Sequence, residues 1–257
     1  MSRPAALALQ FALCSCVPAE RPAGDRKPVE RTATKRSRAK VEPPSAPSEA
    51  AAALARAALP VLSEPFKDDF ERDAIGDAYY ATSGAFRIEA GRLCVKGARN
   101  HPLWLRHRLP LNARIQVEAE AASPEGDIKL EAWGDGRAAA RGVSYVDATS
   151  YLAILGGWKN RFHVLARLDE HASDRQELVI EPGSDDPRQQ PVVPGHRYRL
   201  KLERTDGHTL RFWADDVELA SLNDPQPLSG ALHDHFAFND WEAPVCFDQL
   251  LVEPLPS

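Results

Sequence analysis

Short runs in which apolar and polar residues alternate fill the chain from about residue 66 onward. In the run 115–121, isoleucine, valine and alanine alternate with glutamine and glutamate, which is the period of a half-buried β-strand. Similar alternation recurs in 162–168, 198–203 and 210–215. Asp206-Gly207, between the last two runs, is typical of a hairpin turn. Roughly a dozen such runs without a long helical pattern predict an all-β domain, a two-sheet antiparallel sandwich over residues 63–257.

The segment 17–62 has a different texture. Seven prolines interrupt alanine, serine and charged residues, and no apolar periodicity is sustained. A segment of this composition cannot bury enough apolar surface to offset the entropy lost on ordering. We therefore predict a disordered linker in front of the folded domain.

The first sixteen residues have the features of an export signal. Arg3 gives a positive start, and 5–13 is an apolar run too short to span a bilayer. The run ends in Leu13-Cys14-Ser15-Cys16, which resembles the lipobox of bacterial lipoproteins. That resemblance implies cleavage before Cys16, its lipidation, and anchoring of an exported protein in the bacterial cell envelope. Because Val17 is not the aspartate that marks inner-membrane retention in some bacteria, it implies the outer membrane. An ordinary cleaved secretory peptide and an unprocessed chain are the alternatives.

Charge is divided unevenly along the chain. The whole protein carries a net charge of −5, yet residues 61–257 contain 22 Lys and Arg against 32 Asp and Glu. A domain at −10 repels a phosphate backbone, so we expect no nucleic-acid partner. The overall composition, 43% hydrophobic and 27% charged, leaves room for one sizeable core.

Two cysteines remain if Cys16 is acylated and Cys14 is removed. Cys94 and Cys246 would then lie in an oxidising compartment, where only one pairing is possible. A disulfide would close a loop of about 150 residues. The alternative is two separate buried thiols.

Several short motifs mark the ends of the predicted domain. The run 68–70 reads Asp-Asp-Phe, 84–95 contains two glycine-led strand patterns, and 245–252 reads Val-Cys-Phe-Asp-Gln-Leu-Leu-Val. These motifs resemble those of concanavalin A-like jelly rolls, including laminin G-like domains and glycan-binding or glycan-cleaving relatives. The resemblance covers about residues 66–254 and implies a jelly-roll sandwich. It assigns no chemistry, because members of this fold have many functions.

Tryptophans supply the main candidates for binding. Trp104, Trp133 and Trp213 lie on the polar side of their runs, which predicts that they face away from the core. Indoles beside charged groups suit a sugar, because its C–H face stacks on an aromatic plane and its hydroxyls need polar partners. Burial under loops is the alternative. The predicted ligand-binding residues are Trp104, Arg106, Glu131, Trp133 and Trp213, with Trp158, His163 and Arg167 as a second group.

Carboxylates offer an enzymatic alternative. Glu118 and Glu120 share one strand face about 7 Å apart, within range for a general acid and its partner. Glu131 is a third candidate. Jelly-roll glucanases carry a Glu-x-Asp-x-Glu strand, and the run 116–120 lacks the central aspartate. A solvated strand face is therefore the default interpretation.

Metal and cofactor motifs are weak. The pair His233 and His235 lacks a third ligand at a suitable spacing, and Asp185-Asp186 is more typical of an exposed acidic loop than of a calcium site. We expect neither a metal nor a cofactor. The cluster 238–242, Phe-Asn-Asp-Trp-Glu, is either a turn or the rim of a sugar site.

The sequence thus favours a non-catalytic glycan-binding domain of an exported, lipid-anchored envelope protein. A glycoside hydrolase or related polysaccharide-active enzyme is the first alternative. A protein–protein adhesion module is the second.

Overall fold

The computed structural model describes residues 58–256. The predicted signal segment 1–16, the lipidation site Cys16 and nearly all of the linker 17–62 lie outside the described residues. Within the described part, no helix is long and apolar enough to cross a membrane.

Two antiparallel sheets, with strands numbered in chain order, form the domain. The eight-stranded sheet contains β1 (Phe66–Asp68), β3 (Phe86–Glu89), β4 (Arg92–Val95), β6 (Ala113–Ala121), β11 (Arg197–Arg204), β12 (Thr209–Ala214), β13 (Val217–Asn223) and β15 (Val245–Pro254). Its order is β13-β12-β11-β6-β15-β4-β3, and β1 pairs with β15. The predicted all-β, two-sheet class is confirmed.

The seven-stranded sheet provides the other layer. It contains β2 (Tyr79–Ala81), β5 (Leu103–Leu105), β7 (Ile128–Gly134), β8 (Tyr151–Gly156), β9 (Phe162–Arg167), β10 (Gln176–Val179) and β14 (His235–Asn239). Its order is β10-β9-β8-β7-β14-β5-β2. The helical elements of the described chain are the single turn α1 (Gly157–Asn160) and a 3₁₀ turn, Pro187–Gln189.

The main core lies between the sheets, where the apolar side of each alternating strand meets its counterpart. In β6 every second residue, from Ala113 to Ala121, is buried and the residues between are half-exposed. In β7 all seven residues are buried. Both faces of β7 are covered because the segment 135–150 lies over the outer face of the seven-stranded sheet. There Tyr145 packs in a second apolar cluster with Leu152 and Val164.

The residues at the end of the predicted linker 17–62 form hydrogen bonds with the sandwich. The Arg108 carbonyl accepts a hydrogen bond from the Leu62 N–H at 2.9 Å, and the Pro60 carbonyl accepts one from the Arg108 N–H at 3.2 Å. The last residues assigned to the linker are therefore held against the sandwich.

Cys94 and Cys246 are joined by a disulfide across β4 and β15. Of the two alternatives drawn from the sequence, the bridge is the correct one. The two residues lie directly opposite each other in the antiparallel ladder, at a sequence separation of 152. The bond thus ties the beginning of the sandwich to its final strand.

Candidate functional site

A cleft of about 480 Å³ opens on the outer face of the seven-stranded sheet, beside the segment 135–150. Two partly buried tryptophans, Trp158 and Trp241, line it. Its polar lining includes Asn100, Asp127, Lys129 and Glu170. Aromatic and polar side chains therefore meet in one concave site of the size that binds small molecules.

Trp158 is placed by an unusual backbone turn. Residues 158, 159 and 160 all have left-handed φ values, 53°, 61° and 61°, a conformation that costs non-glycine residues free energy. The turn is held because the Asn160 amide accepts from the Val192 N–H and donates to the Val192 carbonyl, both at 2.8 Å. Gly156 precedes it at φ 71°, where a Cβ would come within 2.5 Å of the Val192 side chain. The turn therefore fixes the indole at the edge of the cleft.

The floor of the cleft is an ion pair. Lys129, only 2% exposed, donates from Nζ to Glu170 Oε2 at 2.8 Å and to Asn100 Oδ1 at 2.5 Å. Burial disfavours the ammonium, yet the charges of Asp127 and Glu170 hold the Lys129 pKa above its ordinary value. The lysine is therefore charged, and two of its three N–H donors are used within the protein.

Two aspartates, Asp127 and Asp240, hold the backbone around Trp241 in place beside the floor of the cleft. The backbone N–H of Trp241 donates a hydrogen bond to Asp127 Oδ2 at 2.7 Å. Asp240 accepts from the Ala98 and Gly97 N–H groups at 2.7 and 3.0 Å. Burial raises the pKa of Asp127, and it raises the pKa of Asp240 to about 6.

Glu131 lies behind this floor and is closed off from solvent, with 0% of its surface exposed. Its carboxylate accepts from Ser150 Oγ at 2.6 Å, Asn239 Nδ2 at 2.7 Å and Tyr145 Oη at 3.2 Å. Burial nevertheless raises the pKa of Glu131 to about 7. In the described structure a substrate cannot reach this group, so the sequence-based expectation that Glu131 contacts a ligand is wrong.

We expect Glu131→Gln to gain stability relative to the wild type as pH rises. The pKa of Glu131 is raised from 4.5 to about 7 on folding. The folded state therefore binds the extra proton between those values, and wild-type stability falls as pH rises through this window. Between pH 4.5 and pH 8, the difference in free energy of unfolding should move in favour of the glutamine variant by about 3 kcal/mol. Urea denaturation at both pH values measures it.

Glu118→Gln is the matched control for this measurement. Glu118 is a half-exposed surface partner of Arg197 at 3.2 Å, and such a pair contributes about 0–1 kcal/mol. Its variant should follow the wild-type pH profile closely. Parallel profiles for Glu131→Gln and the wild type would contradict the assigned pKa.

Two of the three tryptophans expected on an open face are inside the protein. Trp133 is 0% exposed because a bulge in β7 opposite β14 gives it a φ of 54° and turns the indole into the main core. The guanidinium carbon of Arg204 lies 3.9 Å from the centroid of the Trp133 ring. Trp104 does point outward, but the segment 135–150 covers it, and its Nε1 donates to the Ala138 carbonyl at 2.9 Å. The prediction that Trp104 and Trp133 face a groove is wrong.

The second predicted group is also divided. His163 is buried, accepts the Gly156 N–H at Nδ1 and lies 3.1 Å from the Gln190 carbonyl at Nε2. Burial lowers its pKa to about 4. Arg167 is paired with Asp224 at 2.7 Å. Neither lines the cleft, so the structure does not bring them together there with Trp158.

Trp213 and the candidate acid pair lie on the outer face of the opposite sheet. Trp213 is partly exposed and stacks against Lys201, whose Nζ is 3.8 Å from the ring centroid. Glu118 pairs with Arg197, and Glu120 pairs with Arg92 at 3.0 Å. The two glutamates are thus held in ordinary surface ion pairs away from the cleft. Arg106 is exposed and is not among the residues that line the cleft.

Sequence reasoning missed most of the floor. Of the eight predicted binding residues, only Trp158 lines the cleft, and the loosely assigned cluster 238–242 supplies Trp241. Asp127 and Lys129 were missed although they alternate with apolar residues in an Asp-Ile-Lys-Leu-Glu run that ends at Glu131. This alternation places three charged side chains on one face of a strand, and it could have predicted a charged site there.

No metal-binding group stands out in the described part of the chain. The one set of close ligand atoms there, Glu89, Cys94 and Cys246, contains both disulfide sulfurs, which are not free to bind. Of the candidate pair, His233 is engaged otherwise, because its Nδ1 lies 2.6 Å from the Thr149 carbonyl. His235 is buried, and its Nδ1 lies 2.8 Å from Asp234 Oδ1 without forming a hydrogen bond.

Comparison with known proteins gives structural matches alone. No protein-family model and no curated protein matches the chain. The carbohydrate binding module CBM66 from Bacillus subtilis is 14% identical with a TM-score of 0.50, over 70% of this chain and 98% of that one. The Emp47p carbohydrate recognition domain is 11% identical with a TM-score of 0.51, over 75% and 96%. A Bacillus licheniformis β-glucanase is 6% identical with a TM-score of 0.50, over 76% and 99%.

Identities this low establish the fold and nothing further. The structural matches and the two antiparallel sheets described above confirm the fold that the opening and closing motifs resemble: the domain has the jelly-roll sandwich fold of concanavalin A-like proteins.

Proposed function

We propose that the domain binds a glycan in the cleft between Trp158 and Trp241 and does not cleave it. The observation that carries the proposal is that two partly buried indoles line one cleft with carboxylate, amide and ammonium groups. Indoles give a sugar ring an apolar platform, and the polar groups orient its hydroxyls. Two neighbours of the same fold are named as a carbohydrate binding module and a carbohydrate recognition domain, which supports this use of the fold.

Binding without cleavage is favoured by the state of the carboxylates. Glu131 is sealed behind three hydrogen bonds, and Glu118 and Glu120 are paired with arginines on the other sheet. Lys129 lies on β7 between Glu131 and Asp127, which directly precedes the strand, and it interacts with both carboxylates and with Glu170. With Glu170 and Glu131 buried, the floor exposes one carboxylate, Asp127, whereas acid–base cleavage of a glycoside uses two.

We further propose that the domain is carried on an exported protein anchored through Cys16 in the outer membrane of the bacterial envelope. The support is the lipobox-like sequence at 13–16 and the disulfide between Cys94 and Cys246, since disulfides persist in oxidising compartments. Labelling with a fatty-acid analogue should mark the wild type and fail on Cys16→Ser. Equal labelling of both would overturn the anchor.

Binding is tested with the purified protein on a glycan array, followed by calorimetry with the strongest oligosaccharide. Trp158→Ala and Trp241→Ala should each weaken binding at least about tenfold, because buried tryptophan contacts commonly contribute more than 1 kcal/mol. Trp213→Ala, which removes a comparable indole from the opposite sheet, is the control and should change affinity less than twofold. Unchanged binding after loss of both cleft indoles would overturn the proposed site.

The same oligosaccharides separate this function from a hydrolase. Incubation should release no reducing ends. Turnover that survives in Glu118→Gln but is lost in Asp127→Asn would instead identify the cleft as an active site.

A further inference from the structure

We propose that this cleft selects glycans that carry free ammonium groups, as unsubstituted amino sugars do, over glycans that carry carboxylate or sulfate. The inference rests on the proposed function and concerns the charge of the ligand. It comes from an imbalance between acidic and basic groups at the floor of the cleft.

The cation at the floor is already paired within the protein. Lys129 is buried, and its ammonium donates to Glu170 and Asn100 within the protein. An incoming carboxylate would have to compete with Glu170, which is itself buried. Because Glu170 already balances its charge, the lysine attracts a second anion less strongly than an unpaired lysine would.

The floor instead presents unused acceptor capacity. Asp127 lines the cleft and is partly exposed. One of its carboxylate oxygens accepts a hydrogen bond from the backbone N–H of Trp241. With Glu170 it places two carboxylates against the one ammonium of Lys129. A ligand group that donates hydrogen bonds and carries positive charge complements this arrangement.

Charges at the rim cancel. Lys159 lies 3.9 Å from Glu125, and Glu242 pairs with Arg99 at 3.0 Å. Arg161 lies over the Phe162 ring, with its guanidinium carbon 5.2 Å from the ring centroid. Arg161 lines the cleft, as does His171, whose Nε2 lies 3.4 Å from Glu170 Oε1. Counted over the lining residues with histidine neutral, four carboxylates face three cations, which leaves one negative charge: Glu125, Asp127, Glu170 and Glu242 against Lys129, Lys159 and Arg161. The excess of acidic residues in 61–257 adds attraction for cations.

The indole of Trp158 already accommodates a cation. The Arg175 guanidinium carbon lies 4.7 Å from the centroid of the Trp158 ring. Such a contact is favourable because the π-face is electronegative. A cationic sugar stacked in the cleft would gain from the same property of the indoles.

The decisive experiment compares three hexasaccharides by calorimetry at pH 6 and low salt. These are β-1,4-glucosamine, the same chain N-acetylated, and oligogalacturonate. The amino form should bind about tenfold more tightly than the acetylated form, oligogalacturonate should bind most weakly, and the preference should shrink at high salt. Asp127→Asn should remove most of the preference and keep the acetylated form bound.

Glu118→Gln is the matched control, because it removes the same charge from the outer face of the opposite sheet, where Glu118 pairs with Arg197. It should change the preference less than twofold. Equal affinity for the amino and acetylated forms, stronger binding of oligogalacturonate, or a preference that survives in Asp127→Asn would each overturn the inference and leave glycan binding standing. Absence of binding to every glycan on the array would overturn the proposed function itself.

Discussion

Loss of the Cys94–Cys246 disulfide is expected to lower the free energy of unfolding by about 5 kcal/mol. The bond closes a loop of 152 residues, and on the chain-entropy model a cross-link of this length removes a large part of the freedom of the unfolded chain. Packing should contribute less than the lost cross-link, since Cys246 is half-exposed and only the Cys94 sulfur leaves a buried site. The result is therefore dominated by the unfolded state.

The measurement is chemical denaturation of the wild type and of Cys94→Ala/Cys246→Ala, each with and without reductant. Reductant should shift the wild-type midpoint towards that of the variant and leave the variant unchanged. A difference below about 1 kcal/mol would mean that the unfolded chain is already restricted in the absence of the bond.

Lys129→Met is expected to destabilise the domain by about 3–5 kcal/mol. The methionine has a similar length, so packing is largely kept, but Glu170 and Asp127 lose the ammonium that balances them. Removing one partner of a buried ion pair leaves an uncompensated charge, which costs several kcal/mol. The added substitution Glu170→Gln should recover much of the loss, because it removes the charge that was left unpaired.

Arg92→Met provides the comparison. Arg92 and Glu120 form a partly exposed pair at 3.0 Å, so breaking it should cost no more than about 1 kcal/mol. If Lys129→Met is no more destabilising than Arg92→Met, the floor of the cleft is more hydrated than its burial indicates.

The alternating pattern predicted the strands because it depends on local geometry alone. The run 115–121 lies within β6, and its apolar members are the ones that are buried. The opening motif also has a physical basis. Asp68 accepts hydrogen bonds from the Phe70 N–H at 2.9 Å and Tyr79 Oη at 2.7 Å, and it pairs with Arg72 at 2.5 Å. The motif thus fixes the chain where Phe70 enters the core.

The binding residues were harder to predict because alternation assigns a side chain to a face without saying what covers that face. Trp104 is on the outer face, as its position in the run indicates, yet the segment 135–150 lies over it. Gly134 contributes to this packing, since a Cβ there would come within 2.3 Å of the Trp104 ring. Nothing in the run around Trp104 encodes that contact.

The sequence by itself determined the two-sheet class, the strand periodicity and the fold resemblance, because each follows from neighbouring residues. Only the tertiary structure decided where ligand chemistry can occur. It buried Trp133 through one bulge, closed Glu131 behind Tyr145 and Ser150, and brought Trp158 and Trp241 to the same cleft. Those outcomes depend on contacts between segments far apart in the chain, which a local pattern does not specify.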